Sequence, residues 1–389
     1  MPVLKAATTA AAVAVAGLVL AACSSSGGGG AHADQAAVTK GVAAAKTAVE
    51  AARQVPAWTA PGAAIDPTKL RGKKVFVIPI SESSYETQLE KQEKVAAAKV
   101  GVKLTFYPNQ GAVADWVKGM TTAIAQKPDL IFLESAPDPR QLGPQLQAAK
   151  KAGIPVVASH NWDTEDPNAP KCLGCEYLSG VVKGPFSEGG RLGADWVIND
   201  SKGTADVVIV TINGINAATE MTAAAKAEYK KNCPNCKVKV VSLALTDISN
   251  GAISAVTSAL AADPKVDYLN SQFDLLIPGV LASMQVGNHG KGIKVFSYNG
   301  TTPGMEQVAK SGGPVEMDVA EPVGWTAFAN LDQVFRVLAG MPAVQETNPL
   351  RIFDRTNISD AGGPPNYDGG FGTAYQTGFF RLWGVGSGS

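Results

Sequence analysis

The sequence predicts an α/β protein of two lobes, each a parallel sheet flanked by helices. Three observations carry that prediction. Short runs of Val, Ile, Leu and Phe alternate with helical periods, and these runs are continuously apolar, as in strands buried on both faces. The strand-helix alternation runs once over 75–158 and restarts after Leu178. The 389 residues are enough for two such lobes.

Taken in order, residues 1–22 have the layout of a secretory signal: Lys5, an apolar stretch over 10–20 too short to span a bilayer, then small residues. Leu20-Ala21-Ala22-Cys23 resembles the lipobox of bacterial lipoproteins, which implies a lipidated Cys23 as mature N-terminus and membrane attachment through that anchor. Ser24 to Gly30 is a Gly/Ser tether by composition. Asp34 can cap a helix whose Val38, Val42, Ala45, Val49 and Ala52 form a narrow stripe, and Trp58 and Pro61 read as a connector.

The first alternation gives strands over 75–80, 102–106, 130–133 and 154–158, with helices after Ser84 and over 113–125 and 141–152. The second gives helices over 187–199, 217–231, 249–261 and 277–286, with strands over 207–210, 238–245, 268–270 and 295–297. A strand over 315–319, a long helix over 323–339 and an extended segment over 351–358 follow. The tail from Gly362, rich in Gly, Pro and aromatic residues, shows no period.

Composition narrows the function. Only 17% of residues are charged and 34 basic residues balance 34 acidic ones, so no electrostatic footprint for nucleic acid exists. No dinucleotide fingerprint, phosphate loop, nucleophile elbow or zincin motif occurs, so no catalytic residue, metal or cofactor is assigned. His32, His160 and His289 have no metal-ligand spacing. Cys172-Leu173-Gly174-Cys175 and Cys233-Pro234-Asn235-Cys236 admit zinc, redox or disulfide readings, but they lie much further apart than the roughly 15–20 residues of a zinc ribbon. An exported chain favours disulfides. A redox C-x-x-C sits where a strand turns into a helix, whereas Cys236 precedes a strand.

The succession Gly72-Lys73-Lys74-Val75, Ala149-Lys150-Lys151-Ala152-Gly153-Ile154-Pro155-Val156-Val157, Gly189-Gly190-Arg191-Leu192-Gly193, Ser271-Gln272-Phe273-Asp274, Gly292-Ile293-Lys294-Val295 and Asn299-Gly300-Thr301-Thr302-Pro303 resembles the type I periplasmic binding proteins, in particular the ribose- and galactose-binding receptors of ABC importers. The resemblance covers residues 72–344. It implies two Rossmann-like lobes joined by a three-strand hinge, with strands crossing near Val181, Ser297 and Glu321, closing on a small molecule. Open parallel sheets bind ligands beyond the carboxyl ends of their strands, which selects the same loops. The residues carried over are Tyr85, His160, Trp162, Thr246, Phe273, Asn299 and Glu321. The other reading of Tyr85, Trp162 and Phe273 is that they pack the lobe faces. Sugar receptors of this branch commonly hold Asp at the His160 position, Arg near 219–223, Asn at Phe273, Asp at Asn299 and Gln at Glu321; this chain has none of these.

The expected division is a lipoprotein signal peptide over 1–22, lipidated Cys and tether over 23–33, helix and connector over 34–71, one lobe from 72–180 with 298–321, the other from 181–297 with 322–360, and a tail over 361–389. In that topology Cys233 lies at the end of its lobe opposite the cleft and Cys172 at the cleft end, so Cys172 is expected to pair with Cys175 and Cys233 with Cys236. The expectation is a monomeric, extracytoplasmic, lipid-anchored solute receptor that delivers a sugar or sugar-like, partly apolar cyclic solute to an ABC permease, and not an enzyme. The alternatives are a receptor for a sensor kinase or chemoreceptor, and an exported C-x-x-C thiol-disulfide protein.

Overall fold

Two sheets wound in the same order organise the chain. The computed structural model describes residues 35–135, 137–165, 177–248, 250–346 and 348–386, all within one unit, Ala33–Ser389. The expected signal peptide, Cys23, the expected tether, Cys172 and Cys175 lie outside the described residues.

An Ala-rich helix, α1 (Gln35–Ala52), comes first. The first sheet then forms from β1 (Lys74–Pro79), β2 (Lys103–Phe106), β3 (Leu130–Glu134), β4 (Val156–Asp163) and β5 (Gly180–Gly184). Between them run α2 (Ser84–Val100), α3 (Val113–Gln126) and α4 (Gly143–Lys151). The strand order is β2-β1-β3-β4-β5, every pair parallel. Helix α5 (Phe186–Asp200) leads into the second sheet: β6 (Asp206–Ile212), α6 (Asn216–Asn232), β7 (Lys237–Leu243), α7 (Asn250–Ala262), β8 (Tyr268–Ser271), α8 (Ile277–Gln285), β9 (Lys294–Asn299), α9 (Thr302–Ala309) and β10 (Val315–Ala320). After α10 (Val323–Leu338), β11 (Arg351–Asp354) adds antiparallel to β10 and completes the order β7-β6-β8-β9-β10-β11, and α11 (Ala374–Leu382) follows.

Each sheet is thus a 2-1-3-4-5 winding, whose crevice lies at the carboxyl ends of its strands. The continuously apolar strands are buried as expected: Val75 to Ile78, Leu130 to Leu133 and Val207 to Val210 are all within the core.

The helix that follows the fifth strand of each sheet packs on the other lobe. Helix α5, after β5, seats Phe186, Leu192, Trp196 and Val197 in the core of the second sheet. Helix α10, after β10, seats Trp325, Phe328, Leu331 and Phe335 with Leu89 and Ala96 of α2 in the core of the first. This exchange corrects the expected division. Residues 315–320 belong to the second sheet and 323–338 to the first lobe, the reverse of the expected assignment, whereas 351–354 join the second sheet as expected. Val181 and Ser297 lie inside β5 and β9 rather than at crossings; the chain passes over at 184–186, 320–323 and 338–351.

Helix α1 and the segment 374–383 are both built into the body. The stripe of α1 buries Val38, Ala45 and Val49 against α5 and α6, and a Cβ on Gly41 would lie 2.0 Å from Asn232 O, so only glycine lets these backbones approach so closely. The aperiodic tail covers α10: Tyr375 stacks on Trp325 at 5.3 Å and Trp383 on Phe328 at 5.4 Å. Trp383 Nε1 also donates to Asp332 at 2.7 Å. Asp332 in turn pairs with buried Arg336, whose guanidinium reaches the connector at Ala63 O.

Candidate ligand-binding cleft

The carboxyl ends of both sheets face one cleft, lined by residues of both lobes. Ile80, Ser81 and Ser83 after β1, Tyr85 and Glu86 at the start of α2, Ser135 after β3 and His160 on β4 come from the first lobe. Ile212 from β6, Ile215 and Ala217 around the start of α6, Leu245 after β7, Phe273 and Leu275 after β8, and Tyr298 and Asn299 from β9 come from the second. Phe186 and Glu321 sit where the chain passes between the lobes.

Glu321 is the polar centre. It is 1% exposed, and Tyr85 donates to its Oε2 at 2.8 Å while Tyr298 donates to its Oε1. Burial first, and then the Glu321 carboxylate, push both phenols well above their ordinary value. His160 Nε2 lies 3.9 Å from Glu321 Oε2, and neither ring nitrogen has a hydrogen-bond partner. Burial lowers the imidazole's affinity for a proton, with Glu321 opposing it. Around this centre the rings of His160 and Phe186 approach to 5.9 Å, and Phe273 meets Tyr298 edge-on at 6.2 Å.

Local structure aims these groups. Ser83 caps α2 by accepting from Tyr85 N and Glu86 N, and its hydroxyl donates to the Glu86 carboxyl, which fixes the first turn. The Asn299-Gly300 turn is held from below: Gly300 N donates to Asp318 at 3.0 Å, and Thr301 N and Oγ1 donate to Asp274 at 2.8 and 2.6 Å. Asp274 and Asp318 are both buried; burial and the Asp274 carboxyl raise Asp318 well above the carboxylate range. A Cβ at Gly300 would lie 2.4 Å from Ala320 Cβ, so only glycine fits.

The lobes touch across the mouth. Asn216 Nδ2 donates to Asn161 O at 2.8 Å, and a Cβ on Gly111 would lie 3.3 Å from Leu245 Cδ2. Both contacts join first-lobe loops to second-lobe loops, so the cleft is closed in this structure.

Tyr85, His160, Phe273, Asn299 and Glu321 come together in the cleft, whereas Trp162 and Thr246 do not. Trp162 is buried in the first-lobe core with Ile131, Leu133 and Leu146. The pairing of β4 with β5 is irregular between Ser159 and Asp163, and His160 adopts a left-handed φ of 58°. That irregularity breaks the alternation that would have aimed residues 160 and 162 to one side. Thr246 points outward from a 3₁₀ turn, and its neighbour Leu245 faces the cleft instead. Sequence reasoning missed Phe186, Glu86 and Tyr298. The Ser83-x-x-Glu86 spacing and the aromatic residue at the end of an apolar strand were their available signals.

Cys233 and Cys236 are joined by a disulfide, Cα atoms 5.3 Å apart, in the loop between α6 and β7 at the amino end of that strand, away from the cleft. Cys233 is buried and caps the end of a helix rather than its start. Among the described residues no group of three His, Cys, Asp or Glu side chains is placed to hold a metal ion.

Two like-wound sheets that exchange helices across a shared cleft define a bilobal solute-binding protein of the type I periplasmic-binding fold. Residues 74–340 match the model of the periplasmic binding protein domain, and the chain belongs to that family. No curated protein sequence matches it. Among solved structures it is similar to an ABC transporter solute-binding protein from Agrobacterium vitis bound with α-D-tagatopyranose (TM-score 0.66, 19% identity, covering 74% of this chain and 96% of that one). It is similar to a sugar ABC transporter protein from Yersinia enterocolitica (0.66, 21%, 84% and 98%). It is also similar to a 5-methylthioribose transporter solute-binding protein from Thermotoga lettingae in complex with 5-methylthioribose (0.65, 16%, 82% and 95%). At these identities the likeness speaks for the fold.

Proposed function

We propose that this protein is the extracytoplasmic solute receptor of an ABC importer, tethered to the membrane through a lipidated Cys23, which captures a small sugar-like, partly apolar cyclic solute by closure of its lobes and delivers it to the permease. The observation that carries the reading is the composition of the cleft. Rings from both lobes, Tyr85 and His160 on one side and Phe273 and Tyr298 on the other, surround the buried carboxyl group of Glu321, with Glu86 also in the lining. Flat faces suit the apolar face of a cyclic solute, and Glu321, Asn299 and His160 offer the few fixed polar contacts that orient it.

A cleft reached only between lobes exchanges its solute by opening, so the solute favours the closed arrangement by the contacts it makes in that arrangement alone. Tagatopyranose and 5-methylthioribose, bound by two of the similar proteins, are cyclic, and the thioether of the second is apolar. The test is calorimetry of the chain from Ala33 against cyclic sugars, polyols and thio- or deoxy-sugars. The reading expects 1:1 binding by at least one member, weakened about thirtyfold or more in Phe273→Ala. Cys23→Ser should release the full-length protein from the membrane fraction, and retention of that variant would refute the anchor.

A further inference from the structure

We infer that the solute held in this cleft carries a positively charged nitrogen, seated between Glu321 and His160 and flanked by aromatic rings; the inference rests on the receptor reading above and names the chemical class that reading leaves open. Both oxygens of Glu321 accept from phenols, one from each lobe, and a carboxyl group has lone pairs left for a further donor. It is 1% exposed, and among the described residues no Lys or Arg lines the cleft. A buried charge without a partner is costly, and hydrogen bonds from two neutral phenols supply no opposite charge. The nearest basic group, His160, is 6% exposed, and its burial favours the neutral ring.

His160 supplies the second observation. Its ring lines the cleft, and both nitrogens lack partners. With Nε2 3.9 Å from Glu321 Oε2, one group placed between them can reach both at the ~2.8 Å of an ordinary hydrogen bond. A carboxylate has about four lone-pair sites, so Oε2 can accept again beside Tyr85. An ammonium group donates to Oε2 and Nε2 together and brings the missing charge. A hydroxyl brings no charge, and an anion meets two carboxyl groups, Glu321 and Glu86, with no cation to hold it. The rings of Phe186, Phe273 and Tyr298 line the same space, and ring faces attract cations most where water is excluded.

The experiment is calorimetry at pH 6.5 with two matched series: benzylamine, benzyl alcohol and benzoate; and glucosamine, glucose and glucuronate. The expected result is that an amine binds at least tenfold tighter than its neutral counterpart, with the anion weakest, and that Glu321→Gln reduces the amine's advantage to threefold or less. The wild-type ranking decides even if that variant misfolds. Tighter binding of the neutral or anionic member, or no binding by either amine, overturns the inference. If neutral members bind while amines do not, the cation falls and the receptor stands. If neither series binds and no solute from a metabolite extract does, both fall.

Discussion

The phenol of Tyr85 donates to Glu321 Oε2 at 2.8 Å, tying the first turn of α2 in one lobe to the segment that leaves β10 of the other. Tyr298 takes the second oxygen of the same carboxylate from the opposite side. One buried acid is thereby held by a phenol from each lobe, at a point where the chain passes between them. Tyr85→Phe removes one donor and leaves a buried acceptor short, which should lower stability by about 1–3 kcal/mol. Denaturant unfolding of the wild type and the variant at equal slope measures this, and identical midpoints would show that the bond contributes nothing.

Closure depends on contacts at the mouth. Asn216→Ala deletes the 2.8 Å bond to Asn161 O and should shift the lobes toward opening by about 1 kcal/mol, weakening solute binding roughly fivefold. Small-angle scattering of the solute-free variant should show a larger radius of gyration than the wild type. An unchanged envelope together with unchanged affinity would mean that this bond does not contribute to closure.

Phe273 and Trp162 should separate binding from folding. Phe273 lines the cleft, so Phe273→Ala should cost at least ~2 kcal/mol of binding, about thirtyfold. Trp162 packs within the first-lobe core, so Trp162→Ala should cost ~3–5 kcal/mol of stability. Paired calorimetry and unfolding curves give both numbers, and a Trp162→Ala protein of native stability that no longer binds would reverse the assignment.

That pair marks where the sequence was and was not legible. The strands of both sheets could be read because Val75 to Ile78 and Val207 to Val210 are apolar at every position, a pattern set by burial on both faces. Strand β5, Gly-Val-Val-Lys-Gly, carries no such run, and only the resemblance, through a strand near Val181, points to it. The exchange of α5 and α10 between lobes depends on contacts between residues far apart in sequence, which local periodicity does not encode. His160 and Trp162 share a parity, so only the backbone irregularity between Ser159 and Asp163 separates them. The tail helix is set by the packing of Tyr375, Phe379 and Trp383 on α10, contacts between segments far apart in sequence.

Buried carboxyls set a pH dependence. Behind the cleft, Glu93 of α2 faces Glu134 of β3 with both side chains fully buried. Burial pushes Glu93 up to about 7, and burial with Glu93 raises Glu134 well above its ordinary range. Asp195 of α5 is likewise pushed up to about 7 by burial and by Glu228. Groups raised in the folded state bind protons there that the unfolded chain has already released, so their stabilisation is full near pH 4.5 and is lost as pH rises toward 7. The unfolding temperature should therefore be higher at pH 5.5 than at pH 7.5, and Glu93→Gln should flatten the difference. A wild-type profile that rises over that interval contradicts the sign.

The Cys233–Cys236 disulfide lies at the end of its lobe away from the solute. Cys233→Ala with Cys236→Ala should leave solute affinity within twofold of wild type while lowering stability. A large loss of binding measured by calorimetry, or turnover of a model disulfide by the wild-type protein, would point to function at that loop.

Native mass spectrometry tests the central claim most directly. The chain from Ala33, freshly purified or incubated with a metabolite extract and exchanged into volatile buffer, should carry one small-molecule adduct at 1:1 stoichiometry, and Phe273→Ala should carry it at lower occupancy. A wild-type protein without any adduct, or a Phe273→Ala variant that retains the same one at full occupancy, would contradict capture of a solute in the cleft between the lobes.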